Sequence, residues 1–135
     1  MKEIVRDWMT ANVITVSASA SLDEADSIMV EKGIRRLLVV DGAELVGILS
    51  QGDVRAAKAA AAAESDASAM ASAVGAIMTA NPITIPETAT VAFAAQIMLQ
   101  LKVSGLPVAD ERGALRGILS ESDLFRYIVA HTLAA

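Results

Sequence analysis

Gly47-Ile48-Leu49-Ser50-Gln51-Gly52-Asp53 returns as Gly117-Ile118-Leu119-Ser120-Glu121-Ser122-Asp123. Moving outward from this heptad, Leu37, Val39 and Asp41 recur as Leu106, Val108 and Asp110, and Ile28-Met29 as Ile97-Met98. Further upstream, Ile14-Thr15 recurs as Ile83-Thr84, and Met9-Thr10-Ala11-Asn12 as Met78-Thr79-Ala80-Asn81. The upstream matches keep a spacing of 69 and the heptad a spacing of 70, so one residue is gained in the turn between them. Matches in this order mark an internal duplication. They divide the chain into a first repeat at 1–60, an Ala/Ser-rich linker at 61–73 and a second repeat at 74–135.

Both copies carry the same local signals. A short β-rich segment, Val13–Val16 or Ile83–Ile85, comes first. Ser21 then caps a helix, with Glu24 completing a capping box, and Leu22, Ala25, Ile28 and Met29 follow at helical spacing. In the second copy Thr90 is the cap and Val91, Ala94, Ile97 and Met98 share one face. Two apolar strands come next, Leu37–Val40 with Leu45–Leu49, and Leu106–Ala109 with Leu115–Leu119. The turns around Asp41-Gly42 and Asp110-Glu111-Arg112-Gly113 make each pair an antiparallel hairpin. A helix starting near Gln51 or Glu121 closes each copy, and the alanines after Ala56 carry the first of these into the linker. The stretch Ser65–Ser72 reads as its most flexible part.

The expected fold is α+β, with two tandem β-α-β-β-α repeats. A three-stranded sheet with two helices has too little core to stand alone. The repeats are therefore expected to pack sheet to sheet with pseudo-two-fold symmetry, leaving equivalent clefts on either side.

Composition narrows the function. The chain has 135 residues, 54% hydrophobic but only 3% aromatic, no cysteine and a net charge of −5. Disulfides, thiolate metal sites and a thiol nucleophile are excluded. His131 is the single histidine, which leaves no His- or Cys-rich metal cluster, and it reads as a frayed surface position near the C-terminus. An acidic chain poor in aromatics is unsuited to wrapping nucleic acid. The first eight residues lack the apolar core of a signal peptide, and the run Ala56–Ala63 is too short to span a membrane, so a cytoplasmic protein is expected. Met29, Met70, Met78 and Met98 read as core filler. Trp8 reads as an anchor for an N-terminal strand or as a contact in a dimer or partner interface.

The Ser-x-x-Asp signature at each strand-to-helix junction admits two readings. A serine hydroxyl with free N–H groups at a helix start can hold phosphate, and an ionised Asp can accept two hydrogen bonds from a ribose diol. Ser50 with Asp53, and Ser120 with Asp123, are equally ordinary capping boxes. Arg35 and Arg36 lie ahead of the first apolar strand, where they could grip phosphate or keep a strand edge soluble.

Taken together, Arg6-Asp7-Trp8-Met9-Thr10, Leu37-Leu38-Val39-Val40-Asp41 and the first heptad resemble a CBS domain, named after cystathionine β-synthase. Met78-Thr79, Ser104-Gly105-Leu106-Pro107-Val108 and the second heptad resemble it again. The pair is similar to a Bateman module. That resemblance implies a non-catalytic regulatory module that binds an adenosine nucleotide of the AMP, ADP or ATP class, forms a homodimer and acts on a separate effector protein. It gives Asp53 and Asp123 the role of ribose ligands and Arg36 that of a phosphate ligand. It implies an adenine pocket built from the segment after Met-Thr of the opposite copy. Asn81, Pro82 and Ile83 would then complete the Asp53 cleft, and Asn12, Val13 and Ile14 the Asp123 cleft. For Ile14 and Ile83, plain strand packing is the competing expectation. Where the first copy has Arg36, the second has Gly105 after Ser104. Asymmetric occupancy follows, with the Arg36 cleft binding better.

Three functions compete at this point. The nucleotide sensor rests on the two Ser-x-x-Asp junctions and Arg36. A structural dimerisation module with empty clefts draws on the missing basic residue in the second copy, and S-adenosylmethionine or NAD are further ligands of the same class. An enzyme is disfavoured, because no nucleophile–base pair is visible and no catalytic residue can be named.

Overall fold

Residues 3–64 and 72–133 are described by a computed structural model. Two parts of the sequence reading, Met70 and most of the stretch from Ser65, lie outside them. After a 3₁₀ turn at Val5–Asp7, the first repeat forms β1 (Thr15–Ser17), α1 (Leu22–Lys32), β2 (Arg36–Asp41), β3 (Glu44–Ser50) and α2 (Gln51–Glu64). The second contributes α3 (Val74–Ile77), β4 (Thr79–Ala80), β5 (Ile85–Pro86), α4 (Val91–Leu101), β6 (Gly105–Ala109), β7 (Leu115–Ser120) and α5 (Glu121–Leu133). This is the expected α+β class, with two small sheets and the β-α-β-β-α order in both copies.

The helix boundaries follow their caps. Ser21 Oγ accepts the Glu24 N–H at 3.1 Å and Thr90 Oγ1 accepts the Phe93 N–H at 3.0 Å, each satisfying a donor that a helix start leaves open. α1 ends on Gly33 at φ 65, whereas α4 ends on Lys102 at φ 57. The same left-handed cap is thus made once by a glycine and once by a residue that resists it.

Each sheet pairs its first strand in parallel and its hairpin antiparallel, with Thr15 opposite Leu38 and Ile85 opposite Val108. One sheet departs from the three strands expected per copy. β4 adds to β3, with Gly47 opposite Ala80 and Ile48 opposite Thr79, giving the order β1-β2-β3-β4. At the matching place on the other sheet, Thr10 and Ile118 exchange backbone bonds of 2.9 and 3.0 Å. The Met-Thr segment of each copy therefore docks on the hairpin of the other. The chain divides accordingly into a first-repeat unit, Ile14–Pro82, and a second-repeat unit, Met1–Val13 with Ile83–Ala135.

Both docking contacts depend on a glycine. A Cβ on Gly117 would stand 2.6 Å from Thr10 O and 3.0 Å from Met9 Sδ. One on Gly47 would collide with Met78 Sδ and meet Thr79 O at 3.0 Å. The Gly of Gly-Ile-Leu-Ser and the Met-Thr pair recur together in the sequence because they touch.

Each unit has its own core. In the first-repeat unit Leu22, Ala25, Met29, Leu37, Val39 and Leu49 pack with Val54 and Val74, while Met78 is partly buried. In the second-repeat unit Val5, Ile85, Ala94, Met98, Leu106, Val108 and Leu119 pack together, with Trp8 and Met9 against them. Trp8 anchors the N-terminal segment as expected, but that segment is a 3₁₀ turn and not a strand. His131 is not a frayed surface group. Its ring stacks on Tyr127 at 4.0 Å, Tyr127 meets Trp8 edge-on at 5.4 Å, and His131 Nδ1 lies 2.9 Å from Tyr127 O. The α5 helix continues far enough to bring these rings together, which gives the end of the chain an apolar partner. Among the described residues, no helix is long and apolar enough to cross a membrane.

Candidate functional site

The two Ser-x-x-Asp junctions sit where β3 runs into α2 and β7 into α5, without an intervening loop. In the first, the Ser50 N–H donates to Asp53 Oδ2 at 2.8 Å and the Asp53 N–H donates to Ser50 Oγ at 3.0 Å. In the second, the Ser120 N–H donates to Asp123 Oδ2 at 2.8 Å and the Asp123 N–H to Ser120 Oγ at 3.3 Å. Both are therefore reciprocal capping boxes, so the structural role read from the spacing is real.

What remains of each carboxylate differs. Asp53 is half-buried, and among the described residues no donor reaches its Oδ1. Asp123 is 2% exposed and its acceptors are taken. Ser120 Oγ donates to Oδ2 at 3.0 Å, Thr10 Oγ1 lies 3.5 Å from Oδ1, and the Arg126 guanidinium forms an ion pair with Oδ1. Arg126 also reaches Trp8 O at 3.4 Å. Its counterpart in the first repeat is Ala56, which cannot reach Asp53. Among the described residues the Ser50 hydroxyl likewise donates to no acceptor, while Ser120 donates its own to Asp123.

Strand register supplies the rest of the first junction. Arg36 is exposed and lies directly opposite Ser50 across the β2–β3 ladder; Gly105 holds the equivalent place opposite Ser120. Arg35 uses its carbonyl to accept the Gln51 N–H at 2.8 Å, which ties the strand start to the helix start. The register thus sets Arg36 opposite Ser50, and the capping box ties Asp53 to Ser50. Such a set combines a cation, a hydroxyl donor and an open carboxylate oxygen, which can meet an anion and a diol at once.

Of the other residues singled out, Asn81 donates its N–H to Val46 O at 3.2 Å, which keeps it beside β3 in the same unit as Asp53, with Pro82 following. Asn81 holds φ 54, a conformation that asparagine tolerates better than most residues. Asn12 and Val13 belong to the unit of Asp123, and Val13 donates to Ala11 O at 3.1 Å. Ile14 and Ile83 fall just across the unit boundaries from the junctions they were expected to serve. Plain strand packing does not describe them: both precede β1 and β5 and are 38% and 56% exposed. Arg126 and Thr10 are the site residues that the sequence reading missed. The one available signal was the three-residue spacing of Asp123 and Arg126 on a helix.

Fold and junctions together define a pair of duplicated α+β modules, each with a polar Ser-x-x-Asp corner. The family model for the CBS domain matches residues 5–60 and 74–130, and the chain belongs to that family. Inosine-5'-monophosphate dehydrogenase of Korarchaeum cryptofilum is 37% identical over 97% of this chain, which spans about a quarter (24%) of that enzyme's length. Among solved structures, CBSX2 of Arabidopsis thaliana in complex with AMP superimposes with a TM-score of 0.84 at 31% identity, covering 96% of this chain and 98% of that one. The CBS domain pair of MJ0100, in complex with 5'-methylthioadenosine and S-adenosyl-L-methionine, does so at 0.74 and 30% identity, covering 95% and 97%.

Proposed function

We propose that this chain is a non-catalytic regulatory module that binds an adenosine nucleotide of the AMP, ADP or ATP class at the Arg36–Ser50–Asp53 junction. It acts as a homodimer on a separate effector protein. The observation that carries the reading is the contrast between the two carboxylates. Among the described residues no donor reaches Asp53 Oδ1, beside a strand position occupied by arginine, whereas Asp123 is already saturated by Ser120, Thr10 and Arg126. A ribose diol needs the first state. At the second junction it would have to displace Arg126, and Gly105 offers no cation in return. AMP in CBSX2 and the adenosyl ligands in MJ0100 support the ligand class. Asn81, Pro82 and Ile83 serve as the adenine-side wall of the Asp53 cleft, and Asn12, Val13 and Ile14 as that of the weaker cleft. The repeats at 1–60 and 74–135, with 61–73 between them, are the units of the duplication.

The test is calorimetric titration with AMP, ADP, ATP, NAD and S-adenosylmethionine, on wild type and on Arg36→Ala, Asp53→Asn and Asp123→Asn. Asparagine retains an acceptor for the serine N–H, so the caps survive. The expected result is one dominant site that prefers a phosphorylated ligand. Arg36→Ala and Asp53→Asn should each weaken it about tenfold or more, with Asp123→Asn close to wild type. Two equal sites, or dependence on Asp123 alone, would overturn the assignment. No heat with any ligand would favour a structural dimerisation module with empty clefts.

A further inference from the structure

The two Ser-x-x-Asp junctions share their spacing but carry opposite charge. Around Ser50 the first repeat sets Arg35, Arg36, Gln51, Asp53 and Ala56; at the same places around Ser120 the second sets Ser104, Gly105, Glu121, Asp123 and Arg126. Two arginines and one carboxylate in the first become one arginine and two carboxylates in the second. The arginine of the second set stands on the helix instead of at the strand start, and from there it reaches Asp123. Ser120 occupies Asp123 Oδ2 through both its N–H and its hydroxyl, and the Arg126 guanidinium pairs with Oδ1. Thr10 Oγ1, 3.5 Å from Oδ1, is a weaker partner of the same oxygen. The guanidinium also reaches Trp8 O at 3.4 Å, so it is held at two points. Its side chain is nevertheless 62% exposed, where water can take it back.

We infer that Arg126 is an internal competitor for ligand at the second junction. Its guanidinium takes the Asp123 oxygen that a ribose diol would use, and its removal opens that junction to a nucleoside without phosphate. The inference rests on the reading of Ser-x-x-Asp as a ribose-binding corner and goes beyond it, because it assigns the difference between the two junctions to one side chain. A diol and a guanidinium are both hydrogen-bond donors and need the same acceptor oxygen, so they exclude each other. A contact that closes a site lowers its apparent affinity by the fraction of molecules left open. For an ion pair with one exposed partner that factor is at most about fivefold. The first repeat shows the open form of the same design, since Ala56, at the place of Arg126, has no donor to offer Asp53. Charge then decides which ligand enters. Without Arg126 the second set holds Glu121 and Asp123 and no arginine, so a phosphate is repelled where a neutral nucleoside is not.

The experiment is made on an Asp53→Asn background, which weakens the first junction, with radiolabelled adenosine in equilibrium dialysis reading the second. Two further substitutions are compared with that parent. Arg126→Ala installs the first repeat's residue, and Arg126→Met keeps the length of the side chain but has no donor. Both should bind adenosine about fivefold tighter than the parent. AMP should tighten less than adenosine, and 2',3'-dideoxyadenosine, which lacks the diol, should not tighten at all. The Ser120 cap bonds are untouched, so both variants should stay folded, with urea midpoints within about 0.5 M of the parent. Unchanged or undetectable adenosine binding, tightening in Arg126→Ala alone, an equal effect on dideoxyadenosine, or a larger effect on AMP would each overturn the inference. Failure of the sensor reading looks different. A wild type that binds no nucleotide sinks the assignment of the first junction, whereas the Arg126 comparison lies wholly within the Asp53→Asn background and still decides this one.

Discussion

Replacing Asp53 and Asp123 by alanine, one at a time, should separate ligand binding from stability. Asp123 is buried and accepts the Ser120 N–H, the Ser120 hydroxyl and Arg126. Its removal strands a donor at the start of α5, at about 1–3 kcal/mol for an unsatisfied buried group. The lost ion pair adds at most ~1 kcal/mol, because Arg126 is largely exposed and rehydrates. The total is about 3 kcal/mol. Asp53 makes the same cap at a half-buried position where water can replace it, so its removal should cost about 1 kcal/mol, the ordinary value of a cap. With a urea slope near ~2 kcal/mol/M, the midpoints should fall by about 1.5 M for Asp123→Ala and about 0.5 M for Asp53→Ala. Far-UV circular dichroism in urea measures both. AMP affinity should move the other way, lost in Asp53→Ala and largely kept in Asp123→Ala where that variant is folded. Equal midpoint shifts, or a larger one for Asp53, would refute the claim that Arg126 and burial have turned the second junction into a structural element.

Other outcomes follow from single contacts. Gly117→Ala forces a Cβ against Thr10 O and should destabilise by about 1–3 kcal/mol, read as a lower urea midpoint. Lys102→Gly relieves a left-handed helix cap and should raise stability by about 1 kcal/mol in the same assay. Asp110 accepts the Ala114 and Arg112 N–H groups in the β6–β7 turn, and these bonds hold its carboxyl below the ordinary value of 3.8. Because the folded pKa is the lower one, its contribution is full above the unfolded value and fades as pH falls through the folded value. Between about pH 5 and pH 2, wild type should therefore lose more stability than Asp110→Asn in parallel urea titrations.

The duplication made most of the fold legible. Helix caps at Ser21 and Thr90, buried faces through Met29 and Met98, and hairpins around Gly42 and Gly113 are local patterns, and each appears twice. Two things escaped, for different reasons. The two-residue β4 and the Thr10 bridge pair with strands far away in sequence and carry no period of their own. The capture of Asp123 by Arg126 depends on a side-chain direction along α5, and the only hint was a spacing of three. Spacing showed the Ser-x-x-Asp corners, but not that one carboxylate is open and the other spent. For His131, position near the chain end suggested fraying, whereas a helix long enough to reach Trp8 and Tyr127 gives the ring a stack.

The docking of Thr10 on Ile118 also sets a schedule for synthesis. Val5, Trp8 and Met9 leave the ribosome about a hundred residues before the strand they pack against. At about 5–20 residues per second they wait roughly 5–20 s with apolar side chains uncovered. The first-repeat unit, by contrast, is complete as soon as β4 emerges. Translation thus delivers a finished first-repeat unit while Val5, Trp8 and Met9 still await their partners, and whatever shields these side chains in the interval governs the yield of the second-repeat unit.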